Sequence, residues 1–285
     1  MKDSLAFRFG APAREARSAE WKRLGLFLLL GTALFLAAVV GAAFIPLGWP
    51  DALRRSAHPT IFVPLAVALT VWMLRKDASK LAPAALFDPW PVARTSGLWL
   101  LLGGGLAGIV TLIFALAFSL RWAPNAQWSG SNGALMLWAI VLTAAAEEIA
   151  FRGYGLWRLL RLVGFWPAQA IVAALFVVSH LTLGGESFLP ALVGNVTGSV
   201  LYGVVFARTR GVAAPIALHS GWNIVQHLFL SPLDPTATPF VPTFPHPPTG
   251  TEYSAMLAVV GLVMAAAAVA VYRGGVSERR FAFRR

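Results

Sequence analysis

Apolar runs of roughly twenty residues follow one another through most of this chain, and they constrain its fold more than any other feature. They cover residues 25–47, 57–74, 98–118, 133–151, 166–182, 188–207, 212–230 and 254–272. A helix needs about 20 apolar residues to cross a bilayer, and it satisfies its own backbone hydrogen bonds there. Strands of a membrane barrel would alternate apolar and polar residues, which these runs do not. The sequence therefore predicts an all-α, polytopic transmembrane helix bundle with about eight spans.

The composition agrees with a membrane protein. Of the 285 residues, 58% are hydrophobic and 12% are charged, and the mean hydropathy is +0.69. These values lie far from those of an average soluble domain. Because short joins connect the runs, we expect a single bundle over 25–272. A cytoplasmic N-terminal segment, 1–24, would precede it, a basic cytoplasmic tail, 273–285, would follow it, and a proline-rich extracytoplasmic connector, 231–253, would be extended and irregular.

The positive charge follows the predicted loops. The formal net charge is +11, and when the loops are assigned to alternate sides, 20 of the 23 Lys and Arg residues fall on one side. The positive-inside rule makes that side cytoplasmic and therefore places both termini there. This asymmetry accounts for the charge without nucleic acid as a partner. The absence of cysteine excludes disulfides, thiolate catalysis and thiolate metal ligands.

Pairs of glycines recur at four-residue spacing within two spans. Gly104 and Gly108 lie in one span, and Gly194 and Gly198 lie in another. This spacing places both members of a pair on one face of a helix, where two backbones can approach closely. We interpret both pairs as packing positions inside the bundle, with a dimer interface as the alternative, and the oligomeric state stays open.

Three ionisable residues interrupt the fourth span. They are Glu147, Glu148 and Arg152 in the segment AAAEEIAFRGYG. A charged group at membrane depth costs about 2.5 to 3.5 kcal/mol on insertion scales, so a functional site is the default interpretation. Glu148 and Arg152 are four residues apart and can form an ion pair within the helix. Glu147 is rotated away from them by about 100° and is the freer carboxylate, a candidate general base in a hydrated cavity.

Two further spans carry polar side chains at the same spacing. The segment FVVSH places Phe176 and His180 four residues apart, and HSGWN does the same for His219 and Asn223. Residues four apart lie along one stripe of a helix. Polar groups along such a stripe in a membrane must face the bundle interior or a cavity. Alternatively, each histidine could simply hydrogen-bond across to a neighbouring helix.

Taken together, the EExxxR, FxxxH and HxxxN patterns, in this order on three spans, resemble the signature motifs of the CAAX protease and bacteriocin-processing (CPBP) family of intramembrane endopeptidases. The resemblance covers about residues 135–230. It implies a protease of a membrane-associated protein or peptide, acting within the lipid bilayer, and a multi-pass location in a bacterial inner or plasma membrane. The family includes CAAX prenyl endopeptidases, but nothing in the sequence identifies the substrate or its cleavage site.

The resemblance also implies roles for individual residues. Glu147 and His180 would activate a water molecule, and His219 and Asn223 would stabilise the oxyanion, while Glu148 and Arg152 support the site. No cofactor is then required. Zinc is the alternative, with Glu147, His180 and His219 as its ligands. The lack of an HExxH pair and the presence of an amide, which is a poor zinc ligand and a good oxyanion donor, favour catalysis without metal.

Two other classes of protein could use the same polar cluster. A transporter also requires ionisable groups at membrane depth, although the first three spans contain no matching set that would indicate inverted repeats. A membrane scaffold without proteolytic activity is the other alternative. The protease interpretation requires that the three motifs converge. Straight spans counted from the cytoplasmic side would leave His180 deeper than Glu147, so we expect the fourth span to continue past Arg152, or the 153–168 stretch to tilt or enter the membrane.

Overall fold

The computed structural model describes residues 14–46, 49, 51–76, 89–182, 187–230 and 235–274. The helices are α1 (Arg14–Ala43), α2 (Asp51–Lys76), α3 (Pro89–Ala117), α4 (Gly130–Arg152), α5 (Tyr154–Val163), α6 (Phe165–Thr182), α7 (Phe188–Thr209), α8 (Ala213–Phe229) and α9 (Gly250–Arg273). Each of the eight predicted spans coincides with one of these helices, so the predicted all-α bundle is confirmed. The first thirteen residues of the predicted N-terminal segment and residues 275–285 of the predicted tail lie outside the described residues.

The helices differ in their capacity to cross a membrane. Within the described part of the chain, seven are long and apolar enough to span it, and α4 continues through α5 as one candidate span, Gly130–Val163. The predicted seventh span, 212–230, corresponds to α8, which has 17 residues and is shorter than those seven. Helix α8 packs on α3, α4 and α7, so its neighbours rather than lipid cover much of its surface. The protein is therefore an integral, multi-pass membrane protein.

Helices α3 and α8 cross with their backbones in close contact. A Cβ atom added at Gly103 would overlap the carbonyl oxygen of Leu218, and one added at Gly221 would overlap the carbonyl oxygen of Leu100. Gly104 lies at the edge of this crossing, 3.4 Å from Val225 by the same measure. Of the predicted pairs, only Gly104 and Gly198 have neighbours in contact at the Cβ position, and nothing lies within 4 Å of it at Gly108 or Gly194; the closest approach is at Gly103 instead. The crossing matters for function because Leu218 directly precedes His219.

Gly103→Ala is expected to destabilise the protein, because the added methyl group meets backbone that cannot rotate away. Overpacking of this kind costs about 1–3 kcal/mol. Gly105→Ala is the matched control, since nothing lies within 4 Å of the Cβ position at Gly105. Thermal unfolding of both variants in the same detergent, at one scan rate, tests the crossing. Equal midpoints for the two variants would show that α3 and α8 are not held together here.

The proline-rich segment is more ordered than the predicted irregular connector. Its residues Phe240–Thr243 form strand β2, which pairs antiparallel with β1 (Arg121–Pro124). The amide of Asn125 donates to the carbonyl of Thr238 at 2.7 Å, which fastens the segment to the loop before α4. The sequence pattern did not predict this pairing because the two strands lie more than a hundred residues apart. The two-stranded sheet of β1 and β2 therefore lies at the N-terminal end of α4 and the C-terminal end of α8.

Helix α5 is amphipathic, and the sequence pattern did not distinguish it from a loop. Its Arg158 is buried and forms an ion pair with Glu20 of α1. The same guanidinium donates from Nε to the hydroxyl of Tyr154 at 2.8 Å. A buried charge is tolerated only when it is paired and hydrogen-bonded. These contacts attach α5 to α1 and hold the stretch after Arg152 against the bundle.

Candidate active site

The turn between α5 and α6 lies about midway in the sequence between the EExxxR motif, which contains Glu147, and the FxxxH motif, which contains His180. The chain reverses at Gly164, which has a φ of 80°, a conformation that glycine adopts without steric cost. Glu147 precedes this turn by nearly as many residues as His180 follows it. Phe151 and Phe176, which are also nearly equidistant from the turn, meet edge to face with ring centroids 5.2 Å apart. Gly153 (φ −65°, ψ −117°) interrupts the helix after Arg152, and helical structure resumes at Tyr154 as α5; the arrangement of this stretch in the membrane stays a prediction.

Glu148 and Arg152 form the ion pair that their spacing predicts. The Nη1 atom of Arg152 donates to both carboxylate oxygens of Glu148 at 2.9 Å, and both side chains are completely buried. The other terminal nitrogen donates to the carbonyl and the hydroxyl of Ser199 at 3.0 Å each. A buried pair is favourable only when further hydrogen bonds satisfy its remaining atoms; Ser199 does so for the second terminal nitrogen, whereas Nε of Arg152 has no hydrogen-bond partner among the described residues. The pair therefore joins α4 to α7.

His219 lies between the two glutamates. Its Nδ1 is 3.0 Å from Oε1 of Glu148, and its Nε2 is 3.7 Å from Oε2 of Glu147. Because Glu148 is ion-paired with Arg152, its carboxylate accepts hydrogen bonds and cannot donate, so Nδ1 of His219 carries the hydrogen. The other ring nitrogen is consequently directed toward Glu147. The imidazole thus has one nitrogen committed to the protein and one directed toward the candidate general base.

Glu147 is the less constrained of the two carboxylates. Its Oε2 atom is buried and has no hydrogen-bond partner among the described residues, yet its side chain as a whole is 23% exposed, whereas that of Glu148 is fully buried. Buried polar atoms in proteins are nearly always hydrogen-bonded, and an unsatisfied one requires an explanation. A partly accessible carboxylate with an oxygen that accepts no hydrogen bond from the described residues and lies 3.7 Å from His219 is suited to bind water or a substrate group.

His180 and Asn223 lie near this centre without a direct bond to it. His180 packs on Phe176 with ring centroids 4.5 Å apart, and Phe176 in turn contacts the ring of His219 edge-on at 6.4 Å. The Nδ1 of His180 lies 2.9 Å from the carbonyl oxygen of Phe176 and donates to it, which leaves Nε2 free to accept a proton. Asn223 follows His219 by one turn of α8 and is half-buried.

The structure adds three polar side chains that lie outside the three motifs. Tyr202 stacks on His219 with ring centroids 4.4 Å apart. Ser199 receives Arg152, and the buried Gln169 donates to the carbonyl of Ser199 at 2.8 Å. The three-residue spacing of Ser199 and Tyr202 places both on one face of α7 and could have indicated that this face is polar. The sequence interpretation of this helix considered only its glycines.

The proposed zinc ligands do not form a ligand set. Among the residues that the structure describes, no three His, Asp or Glu side chains are arranged to hold a metal ion. The set of Glu147, His180 and His219 thus does not fit zinc in this conformation.

The comparison with protein families matches the segment that contains this site. Residues 128–225 fit the family described as type II CAAX prenyl endopeptidase Rce1-like. This segment of the chain, about a third of its length, is therefore similar to the Rce1-like domain of the CAAX protease family. The domain runs from just before α4 to within α8 and includes all the residues described above as the candidate site. Comparisons with curated proteins and with solved structures returned no match.

The Rce1-like domain determines the broad class of activity. The match supports a membrane CAAX-type endopeptidase and indicates a hydrolase of the protease class. An enzyme of this kind acts on membrane-associated substrates within a lipid bilayer. The family match thus favours proteolysis over transport, the alternative suggested by intramembrane charges alone.

Proposed function

We propose that this protein hydrolyses a peptide bond of a membrane-associated protein or peptide, in CAAX-type processing or a related maturation, by means of a water molecule that Glu147 and His180 activate. The observation that carries the proposal is the carboxylate of Glu147, whose Oε2 accepts no hydrogen bond from the described residues and lies 3.7 Å from Nε2 of His219. A base and a hydrogen-bond donor this close together can act on the two ends of one tetrahedral intermediate.

Glu147 and His180 supply the base. The water oxygen attacks the carbon of the scissile carbonyl while its proton passes to the Glu147 carboxylate, and that proton later goes to the nitrogen of the leaving amine. The Nδ1 of His180 is occupied by the Phe176 carbonyl, so its Nε2 is the ring nitrogen that can interact with the same water. General-base catalysis of this kind contributes about 10²- to 10⁴-fold to the rate.

His219 and Asn223 stabilise the oxyanion that forms on the former carbonyl oxygen. The Nδ1 hydrogen of His219 is committed to Glu148, so a donor at Nε2 requires the doubly protonated imidazolium. The buried Glu148 carboxylate supports that positive charge. The amide of Asn223, one helical turn further along α8, is the second donor. Loss of one oxyanion donor typically raises the barrier by about 2.7 to 4 kcal/mol.

Glu148 and Arg152 support the site without contacting the reacting atoms. Their ion pair holds the Glu148 carboxylate in place and oriented toward His219. Arg152 also ties this carboxylate to α7 through Ser199. Catalysis then requires no metal ion, because the carboxylate and imidazole supply the base and the imidazolium and amide supply the electrophile.

The proposal also includes the orientation of the protein. Both termini would be cytoplasmic in a bacterial inner or plasma membrane, as the distribution of Lys and Arg implies. The domain organisation would be a single bundle over 25–272, with its catalytic core at about 135–230, the 1–24 and 273–285 segments in the cytoplasm and the 231–253 loop outside. The substrate would then reach the site from the membrane or its cytoplasmic face.

Hydrolysis of a quenched-fluorescence peptide library by the purified protein in detergent tests the activity. We expect cleavage of some peptides, and we expect the rate to be unchanged by a metal chelator because the proposed chemistry uses only side chains of this chain. The same reaction after chelator and added zinc is the control. Loss of cleavage with chelator and its recovery with zinc would overturn the metal-free mechanism, and no cleavage of any peptide, prenylated peptides included, would count against the protease assignment.

A further inference from the structure

The imidazole of His219 is held against an aromatic ring that none of the three motifs contains. Tyr202, on α7, is buried and stacks on His219 with ring centroids 4.4 Å apart and planes only 18° from parallel. Aromatic rings meet in many relative orientations, and edge-to-face contacts are common. A nearly parallel stack at this distance leaves the imidazole little freedom to tilt.

The stack and the hydrogen bond to Glu148 constrain His219 in different ways. The hydrogen bond at 3.0 Å sets the position of the Nδ1 atom. The Tyr202 ring sets the plane in which the imidazole lies. With one atom and the plane determined, the direction of Nε2 toward Glu147 follows. Either contact alone would leave Nε2 able to swing away from the place where the oxyanion forms.

Tyr202 is itself well anchored. The guanidinium carbon of Arg152 lies 5.4 Å from the centroid of its ring. Ser199, one turn earlier on α7, receives two hydrogen bonds from the same arginine. The ring also lies close to Gly198 on the same helix, since a Cβ atom there would be in ordinary contact with Tyr202 at 3.5 Å. The surface against which the imidazole rests is therefore rigid.

The lengths of the two helices explain why these rings meet. The chain reverses between α7 and α8 at Arg210, which has a φ of 62°. Tyr202 precedes this turn and His219 follows it by nearly the same number of residues. Because an α-helix rises about 1.5 Å per residue, the two side chains reach the same level.

We propose that Tyr202 is a positioning residue for His219, which acts through its stacked ring and holds Nε2 toward Glu147 and the reacting carbonyl. This inference rests on the proposed function for its catalytic consequence but not for the orientation of the imidazole. The ring, rather than the hydroxyl, carries the effect. Tyr202 therefore differs from a core residue that only fills space.

Kinetics of three variants test the proposal. Tyr202→Phe keeps the ring, and we expect its kcat to stay within about twofold of wild type. Tyr202→Leu removes the stack, and we expect its kcat to fall about 10- to 100-fold, the effect of a displacement of about 1 Å at a catalytic group, with little change in KM. Phe206→Leu is the matched control, because Phe206 is a buried aromatic residue on the same helix whose loss should lower stability and leave kcat intact.

Nitrogen-15 NMR of histidine-labelled protein provides a measurement that does not depend on activity. The chain has five histidines, so the signals of His219 can be assigned by their loss in His219→Gln. We expect the signals of one ordered imidazole with a hydrogen on Nδ1 in wild type and Tyr202→Phe, and broadened or multiple His219 signals in Tyr202→Leu. Tyr202→Met serves the same purpose if the leucine variant does not fold.

Three results would overturn the proposal. The first is a wild-type kcat together with an unchanged His219 spectrum in Tyr202→Leu or Tyr202→Met. The second is a loss of kcat in Phe206→Leu equal to that in Tyr202→Leu. The third is a loss of kcat in Tyr202→Phe as large as in Tyr202→Leu. If the wild-type protein cleaves no peptide, the proposed function fails by itself. The NMR comparison would then still decide whether Tyr202 orients the imidazole.

Discussion

Replacing Glu147 with glutamine is expected to reduce peptide hydrolysis by about 10²- to 10⁴-fold, because an amide cannot accept the proton of the attacking water. The thermal midpoint should stay that of wild type, since Oε2 of Glu147 makes no hydrogen bond with the described part of the protein and glutamine has nearly the same shape. Initial rates on a cleaved peptide, measured alongside thermal unfolding in the same detergent, give both quantities.

The same substitution at the neighbouring Glu148 is the most informative comparison for the activity and thermal midpoint of Glu147→Gln. Glu148→Gln leaves the buried guanidinium of Arg152 without its counter-ion, so we expect it to lower the thermal midpoint as well as the activity. Glu252→Gln serves as a neutral control, because this residue caps the start of α9 far along the chain from the site. Full activity in Glu147→Gln would exclude this carboxylate as the general base, whatever the behaviour of the controls.

Replacing Arg152 with methionine is expected to be the most destabilising of these substitutions. Methionine leaves the ionised Glu148 buried and uncompensated, and removal of one partner of a buried ion pair typically costs about 3–5 kcal/mol. The hydrogen bonds to Ser199 are lost as well. Thermal unfolding at a fixed scan rate should therefore show a large fall in the midpoint, with loss of activity because His219 loses its oriented carboxylate.

Two further variants separate charge from packing at this position. Arg208→Met removes an exposed arginine that makes one hydrogen bond to the Val271 carbonyl, and it should change stability by about 1 kcal/mol or less. The double variant Glu148→Gln with Arg152→Met removes both charges and retains an oxygen that can accept from His219, so we expect it to recover part of the lost stability. A double variant less stable than Arg152→Met alone would contradict the account of Arg152 as a counter-ion.

Much of the polar site follows from local spacing. Glu148 and Arg152 are four residues apart on one helix, and their ion pair needs no information from elsewhere in the chain. The order of the three motifs along the chain also indicates the CAAX protease family, and the match over residues 128–225 agrees. The catalytic roles of Glu147, His180, His219 and Asn223 stay predictions until the variants are measured.

Contacts between distant segments were not predictable in the same way. The crossing at Gly103 and Gly221, the pairing of β1 with β2 and the stack of Tyr202 on His219 each join helices or strands from separate parts of the chain. The glycine pairs illustrate the difficulty. The sequence contains Gly103, Gly104 and Gly105 in succession, and only the position of α8 decides which of them faces its backbone.

The sequence by itself therefore determined that this chain is a bundle of membrane-crossing helices with an ionisable centre on three of them, because hydrophobic length and i, i+4 spacing are local properties. Tertiary structure alone decided how deep each motif lies. The level of Glu147 and His180 depends on the turn at Gly164, and that of Tyr202 and His219 depends on the turn at Arg210. The position of a turn sets the register of two antiparallel helices, and that register is a property of their packing rather than of either sequence segment.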